Sequence, residues 1–257
     1  MIARRQFLKA SLAAVASRAA GASTMPTLGL IAPVDANVPP EAAVLYPQVR
    51  FEQLSVGLKS MTPEGYDEVL ERIEPAARAL ARRGARAMAL MGTSLSFYRG
   101  ASYNLELTRR IQAASGYPAI TMSTAVCEGL RSVGARRLAV ATAYDAEVNR
   151  RLQLFLHEQG FAVRTIRGLG VEKVEDIGRV TQQALLSFSA DVYHAADRAD
   201  ALLISCGGLR TLDLLAPLEA RCGVPVVSSL PHALRAGVRL LGLSGRVLGY
   251  GRLLGQA

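Results

Sequence analysis

The chain has 257 residues, half of them apolar, and a formal net charge of +9. That length and apolar share provide a sizeable core, as one large domain or two small ones, so a globular protein is expected. The charge does not mark a nucleic-acid binder: Lys9, Lys59 and Lys173 are the only lysines, the arginines are scattered, and Trp is absent, so no aromatic platform lies beside a basic stripe. A field of this sign favours a small anionic substrate instead.

In chain order, residues 1–25 read as a leader. Arg4-Arg5-Gln6-Phe7-Leu8-Lys9 resembles the twin-arginine export motif and precedes an Ala-rich stretch. A working signal would send the protein to the periplasm; without one it stays cytoplasmic. No later segment approaches the ~20 uninterrupted apolar residues of a membrane span, so no membrane partner is expected. Strands are predicted at Thr27 to Ala32 and Val49 to Val56. A helix follows with Thr62 as N-cap and Pro63 at its first position, running to Arg83-Gly84, and Pro75 inside it predicts a kink or break. Next come a strand at Ala87 to Met91, a helix after Asn104, a strand at Ala119 to Met122 and a helix to Val133-Gly134. The second half repeats the alternation: strand Arg137 to Thr142, helix Glu147 to Gln159, strand Phe161 to Ile166 and helices between Glu175 and Arg198. Strand Ala201 to Ser205, a helix to Cys222, strand Val224 to Ser228 and a helix around His232 to Leu241 complete it. Short apolar runs alternating with amphipathic helices are the pattern of parallel βαβ units.

The run Ala87 to Met91 ends in Gly92-Thr93-Ser94, and the run Ala201 to Ser205 ends in Cys206-Gly207-Gly208. Each is followed by a helix and a Gly-x-Pro lead into a strand: Gly116-Tyr117-Pro118 to Thr121, and Gly223-Val224-Pro225 to Ser228. This echo predicts an α/β fold of two pseudo-symmetric βαβ-type halves with parallel sheets and an active-site cleft between them. The first half spans 26–134 and is completed by 230–257; the second spans 135–229.

Chemistry narrows to few residues. Cys127, Cys206 and Cys222 show no C-x-x-C spacing and His157, His194 and His232 no H-x-x-x-H pair, so neither a metal nor a disulfide framework is expected. Gly92-Thr93-Ser94-Leu95-Ser96 offers backbone N–H groups and three hydroxyls, a neutral nest for a carboxylate or phosphate, although Ser and Thr also serve as plain helix caps. It is no Walker loop, and no G-x-G-x-x-G follows the first strand. Cys206 follows an apolar strand, a common place for an inert buried thiol, but Gly207-Gly208 lets a ligand approach and the position mirrors the nest. Cys206 is therefore the candidate catalyst, while Cys127, Cys222 and the histidines are read as structural.

Together, 91–100 (Met91 to Gly100), Met122-Ser123-Thr124-Ala125, Ala141-Thr142-Ala143-Tyr144 and Ser205-Cys206-Gly207-Gly208 resemble the arylmalonate decarboxylases of the aspartate/glutamate racemase superfamily. Leu45-Tyr46-Pro47, the stretch Thr62 to Asp67, the stretch Gly223 to Ser229 and Gly249-Tyr250-Gly251-Arg252-Leu253 support it, from about residue 26 to the C-terminus.

That resemblance implies cofactor-independent, metal-free decarboxylation of arylmalonate-type 2,2-disubstituted malonates to chiral 2-arylalkanoates. Racemases of the superfamily face two cysteines across the substrate; here the first-half position is Gly92, leaving Cys206 as the one proton donor. By the same resemblance Thr93, Ser94, Tyr144 and the Gly207 backbone hold the retained carboxylate as it becomes an enediolate, while Leu58, Tyr66, Leu95, Val174 and Ile177 form an apolar pocket for the departing one. A small dicarboxylate is the expected partner and a monomer the expected state. Lys59 departs from the family pattern, which has Gly there, and Met61 replaces a smaller residue. Alternatives are a racemase or cis-trans isomerase of small dicarboxylates such as maleate isomerase, disfavoured by Gly92, and a non-catalytic carboxylate-binding protein.

Overall fold

The computed structural model describes residues 25–171 and 173–256; the twin-arginine stretch lies outside them. The elements are β1 (Thr27–Ala32), α1 (Pro40–Leu45), β2 (Arg50–Ser55), α2 (Pro63–Arg82), β3 (Ala87–Leu90), α3 (Thr93–Phe97), α4 (Ala101–Ser115), β4 (Ala119–Thr121), α5 (Met122–Ser132) and β5 (Arg137–Thr142). They continue with α6 (Ala146–Glu158), β6 (Ala162–Gly168), α7 (Val174–Ile177), α8 (Gln182–His194), β7 (Ala201–Ser205), a 3-10 turn at Leu212–Leu214, α9 (Leu215–Cys222), β8 (Val226–Ser228) and α10 (Ser229–Leu240).

The strands form two four-stranded parallel sheets of the same order, β2-β1-β3-β4 and β6-β5-β7-β8. The inner strands β1, β3 and β7 are buried along their whole length and β5 is buried beyond Arg137. They therefore read as unbroken apolar runs, whereas the edge strands β2 and β6 are largely half-exposed and more polar.

Register makes the echo between the halves quantitative. Leu28 of β1 pairs with Ala87 of β3, and Leu138 of β5 pairs with Ala201 of β7. Superposing β1 on β5 equates Leu90 with Ile204, and one step beyond Met91 and Ser205 it equates Gly92 with Cys206. The outer pair agrees, since Met88 pairs with Ala119 and Leu202 with Val226.

Several boundaries differ from the sequence expectation for local reasons. α2 runs unbroken through Pro75, which sits on the exposed face, so the carbonyl it leaves unpaired meets solvent while Ile73, Ala76, Ala77 and Leu80 anchor the helix on both sides of it. α4 starts at Ala101 because Gly100, at φ +89°, turns the chain and the Glu158 carboxylate accepts the Ala101 N–H at 2.6 Å. α10 starts at Ser229 because Pro231 falls in the first turn, where no intrahelical N–H is needed. The short helices α1 and α3 escape the sequence reading.

Helices also cross between the sheets. α10 packs on β3 and β4, and α5 packs on β8 and α10. The approach of α5 is close at Gly129, where a Cβ would stand 2.7 Å from Leu253 and 3.5 Å from Val227. Glu219 ties the C-terminal segment down, accepting the N–H groups of Val226 (3.1 Å) and Arg252 (2.8 Å).

Candidate active site

Loops from the carboxyl ends of β1, β2, β3, β5, β6 and β7 line a cleft of about 770 Å³. Open parallel sheets place ligands at this edge. Gly92 and Cys206 both line it, as do Thr93, Ser94, Tyr144, Gly207, Leu58, Leu95, Val174 and Ile177. Tyr66 does not border the open space; it is fully buried behind the wall, its ring 4.7 Å from that of Tyr98.

From the first half, Gly92 caps α3, so the N–H groups of Thr93, Ser94 and Leu95 have no intrahelical partner. Ser96 N donates back to Gly92 O at 3.1 Å. The hydroxyls of this nest divide. Ser94 Oγ has no hydrogen-bond partner among the described residues, whereas Ser96 turns inward, donating toward Gly92 O and Thr93 O at 2.9 Å and Ser123 Oγ at 2.7 Å. The expectation of three presented hydroxyls is corrected to one left without a partner, that of Ser94, with Ser96 bracing the turn and Thr93 engaged with Ser229. Thr121 and Ser228, at the strand ends, are likewise engaged inward: Thr121 Oγ1 donates to Asn104 Oδ1 at 2.5 Å, and Ser228 Oγ accepts from Thr211 Oγ1 at 2.9 Å.

Thr93 Oγ1 donates to Ser229 Oγ at 3.0 Å, and Ser229 Oγ accepts the Cys206 N–H at 3.2 Å. This short chain ties the two strand ends together across the cleft. Ser229 was not picked out in the sequence; its only signal was its place beside Ser228 in the repeated strand ending.

From the second half, Cys206 carries φ +156°, a backbone setting that L residues rarely adopt and one that tends to mark functional positions. Burial pushes its thiol up to about 11, while the N–H groups of Gly208 and Leu209 and the Tyr144 hydroxyl, all directed at Sγ, act in the opposite sense. The thiol is thus protonated at neutral pH, with the two backbone N–H groups in place to receive a thiolate. Gly207 is closely crowded: a Cβ there would stand 3.0 Å from Met122 Sδ and 3.2 Å from Met91 O.

Tyr144 is held with its Oη 3.5 Å from Ser205 Oγ and its ring edge-on to Phe97 at 5.9 Å. Its loop fits only because residue 168 is glycine, since a Cβ there would fall 1.9 Å from Tyr144 O. Burial raises the phenol well above its ordinary value, so it stays a donor.

Leu58, Leu95 and Ile177 are buried and Val174 is half-buried, giving one apolar side, with Ile177 pressed against Gly208. Lys59 lies exposed at the mouth, where Ser60 bridges to Lys173 and joins loops of the two halves. Among the described residues no three His, Cys, Asp or Glu side chains gather as a metal site, and no helix is long and apolar enough to cross a membrane.

The family profile described as arylmalonate decarboxylase matches residues 28–254. Arylmalonate decarboxylase of Bordetella bronchiseptica is 48% identical over 237 residues, covering 91% of this chain and 99% of that protein. A maleate isomerase of Nocardia farcinica is 30% identical over 147 residues, 56% of this chain and 58% of that protein. Among solved structures, unliganded arylmalonate decarboxylase superposes with a TM-score of 0.83 at 46% identity, covering 90% of this chain and all of the other. A cysteine-to-alanine variant of maleate isomerase from Pseudomonas putida S16, with maleate, reaches a TM-score of 0.83 at 20% identity over 90% of this chain and 98% of the other, a likeness of fold alone.

Proposed function

The chain belongs to the arylmalonate decarboxylase family and is a carboxy-lyase, and from that premise we propose that it releases CO2 from 2-aryl-2-alkylmalonates and delivers one enantiomer of the 2-arylalkanoate. The observation that supports this reading most is the register equivalence of Gly92 and Cys206. One face of a ligand in the cleft meets a thiol, and the other meets a residue with no side chain.

In the proposed cycle one carboxylate is held by Thr93, Ser94 and Tyr144 with the N–H groups of Ser94 and Gly207. The second carboxylate lies against Leu58, Leu95, Val174 and Ile177. The bond between the central carbon and the second carboxylate breaks, CO2 leaves, and the electron pair delocalises into the retained carboxylate as an enediolate. Donors aimed at both oxygens of that group bind the enediolate more strongly than the substrate, which lowers the barrier. Loss of solvation around the departing carboxylate works in the same direction, because neutral CO2 needs no such solvation. Cys206 then transfers its thiol proton to the carbon. The resulting thiolate is received by the N–H groups of Gly208 and Leu209, and regains a proton from water. A thiol held up to about 11 suits this cycle, since it is always loaded at neutral pH.

A racemase or isomerase that needs two facing cysteines is disfavoured by glycine at 92. The direct test is CO2 evolution by purified protein from phenylmalonate. Release that exceeds the spontaneous rate and disappears in Cys206→Ala supports the reading; a folded parent with no release overturns it.

A further inference from the structure

We infer that the Tyr66 hydroxyl is an additional hydrogen-bond donor to the substrate carboxylate, beside Ser94, rather than part of a purely apolar wall. The inference rests on the carboxylate-binding reading above.

Tyr66 lies in the first turn of α2, where Thr62 caps the helix by accepting the Gly65 N–H at 3.2 Å. Its ring is fixed by full burial and by the tilted contact with Tyr98. Within this setting Oη is sealed from solvent and has no hydrogen-bond partner among the described residues. The buried hydroxyls nearby behave differently. Thr93, Ser96, Ser123 and Ser229 all bond one another or backbone carbonyls. Tyr103 Oη and Ser189 Oγ also lack partners, but Tyr66 Oη is directed at Ser94, with Cys206 among its neighbours.

Ser94 Oγ is the other half of the observation. It borders the cleft and makes no side-chain hydrogen bond among the described residues. The two hydroxyls thus face each other at the cleft wall, and neither has any other partner among the described residues. An acceptor oxygen entering at Ser94 satisfies both, and a carboxylate, with about four lone-pair sites, accepts from both at once. Leaving a buried donor unsatisfied is costly, so a ligand that completes it recovers that cost on binding. Burial also raises the phenol above its ordinary value, so Tyr66 keeps its proton through the cycle and acts as a donor only. A donor on this carboxylate strengthens as the enediolate forms, so its contribution falls on kcat more than on KM.

The test is Tyr66→Phe, which keeps the ring packing and deletes only the orphan hydroxyl. The parent and variant are compared in thermal unfolding, in steady-state decarboxylation of phenylmalonate, and in the melting shift produced by 2-phenylpropionate. Expected are a melting temperature equal to or above that of the parent, a kcat/KM lower by about 10²-fold, carried mainly by kcat, and a smaller shift with 2-phenylpropionate. Unchanged kcat/KM and an unchanged shift overturn the inference in favour of the apolar wall. A lowered melting temperature without ligand also overturns it, because the hydroxyl then has a structural partner. Should the parent release no CO2, the decarboxylase reading fails by itself, and the 2-phenylpropionate shift still decides the role of Tyr66.

Discussion

Gly92→Cys places a second thiol where the register equates the halves, and its consequences follow from local geometry. Residue 92 has φ −123°, open to any L residue, so the substitution carries no backbone strain. The new Cβ would stand 3.0 Å from Leu95 Cβ, 3.5 Å from Leu95 Cδ2 and 3.7 Å from Pro33 Cβ. The Leu95 side chain must give by a few tenths of an ångström, an overpacking cost of about 1–3 kcal/mol. In a chain of this size that lowers the melting temperature by roughly 2–12 °C, and the fold survives. The added Sγ reaches into the cleft opposite Cys206, so the enediolate meets an acid on each face. Chiral chromatography of the 2-phenylpropionate formed from 2-methyl-2-phenylmalonate reads the outcome. The parent is expected to give one enantiomer and the variant a mixture. The variant is also expected to exchange the α-hydrogen of enantiopure 2-phenylpropionate in D2O, because two thiols allow removal and return on opposite faces. A folded, active Gly92→Cys that still gives a single enantiomer would refute the equivalence of positions 92 and 206 on which the mechanism stands.

Three further outcomes follow from the same geometry. Cys206→Ser keeps the fold and the affinity for 2-phenylpropionate, but kcat falls by about 10²–10⁴-fold, the usual range for a lost general acid, as measured by CO2 release. With the thiol at about 11 and required in its protonated form, kcat/KM stays flat through neutral pH and declines only as pH rises toward 11; a decline centred near pH 8 in a pH-rate profile would mean an unperturbed thiol. Gly207→Ala forces a Cβ to 3.0 Å from Met122 Sδ and 3.2 Å from the Met91 carbonyl, the latter unable to yield as a flexible side chain could, so a loss of about 1–3 kcal/mol in denaturant unfolding is expected together with reduced turnover.

What could be read from the sequence was whatever burial imposes on composition. Thr27 to Ala32, Arg137 to Thr142 and Ala201 to Ser205 match β1, β5 and β7 because strands covered on both faces must be apolar along their length. Gly92 and Cys206 were legible for a related reason: each follows a buried β3 or β7 run, and the register places both at the cleft. The direction of small polar side chains was not legible. Ser94 and Ser96 are two residues apart in one short helix, yet one borders the cleft and the other braces the turn through Ser123, a partner 27 positions away. Ser229 escaped notice because its part, linking Thr93 to the Cys206 N–H, exists only when the two sheets are brought together. Pro75 does not break α2 because it lies on the exposed face, where the carbonyl it frees can meet solvent, and exposure is a tertiary property that the sequence does not show.

The central claim is that a single thiol protonates a single face of an enediolate left by CO2 loss. Decarboxylation of 2-methyl-2-phenylmalonate in D2O, with the spontaneous reaction subtracted, tests it most directly. The account predicts CO2 evolution matched by 2-phenylpropionate that carries one deuterium at the α-carbon and is one enantiomer. Racemic product from the unmodified protein, or no CO2 from a folded one, would contradict it.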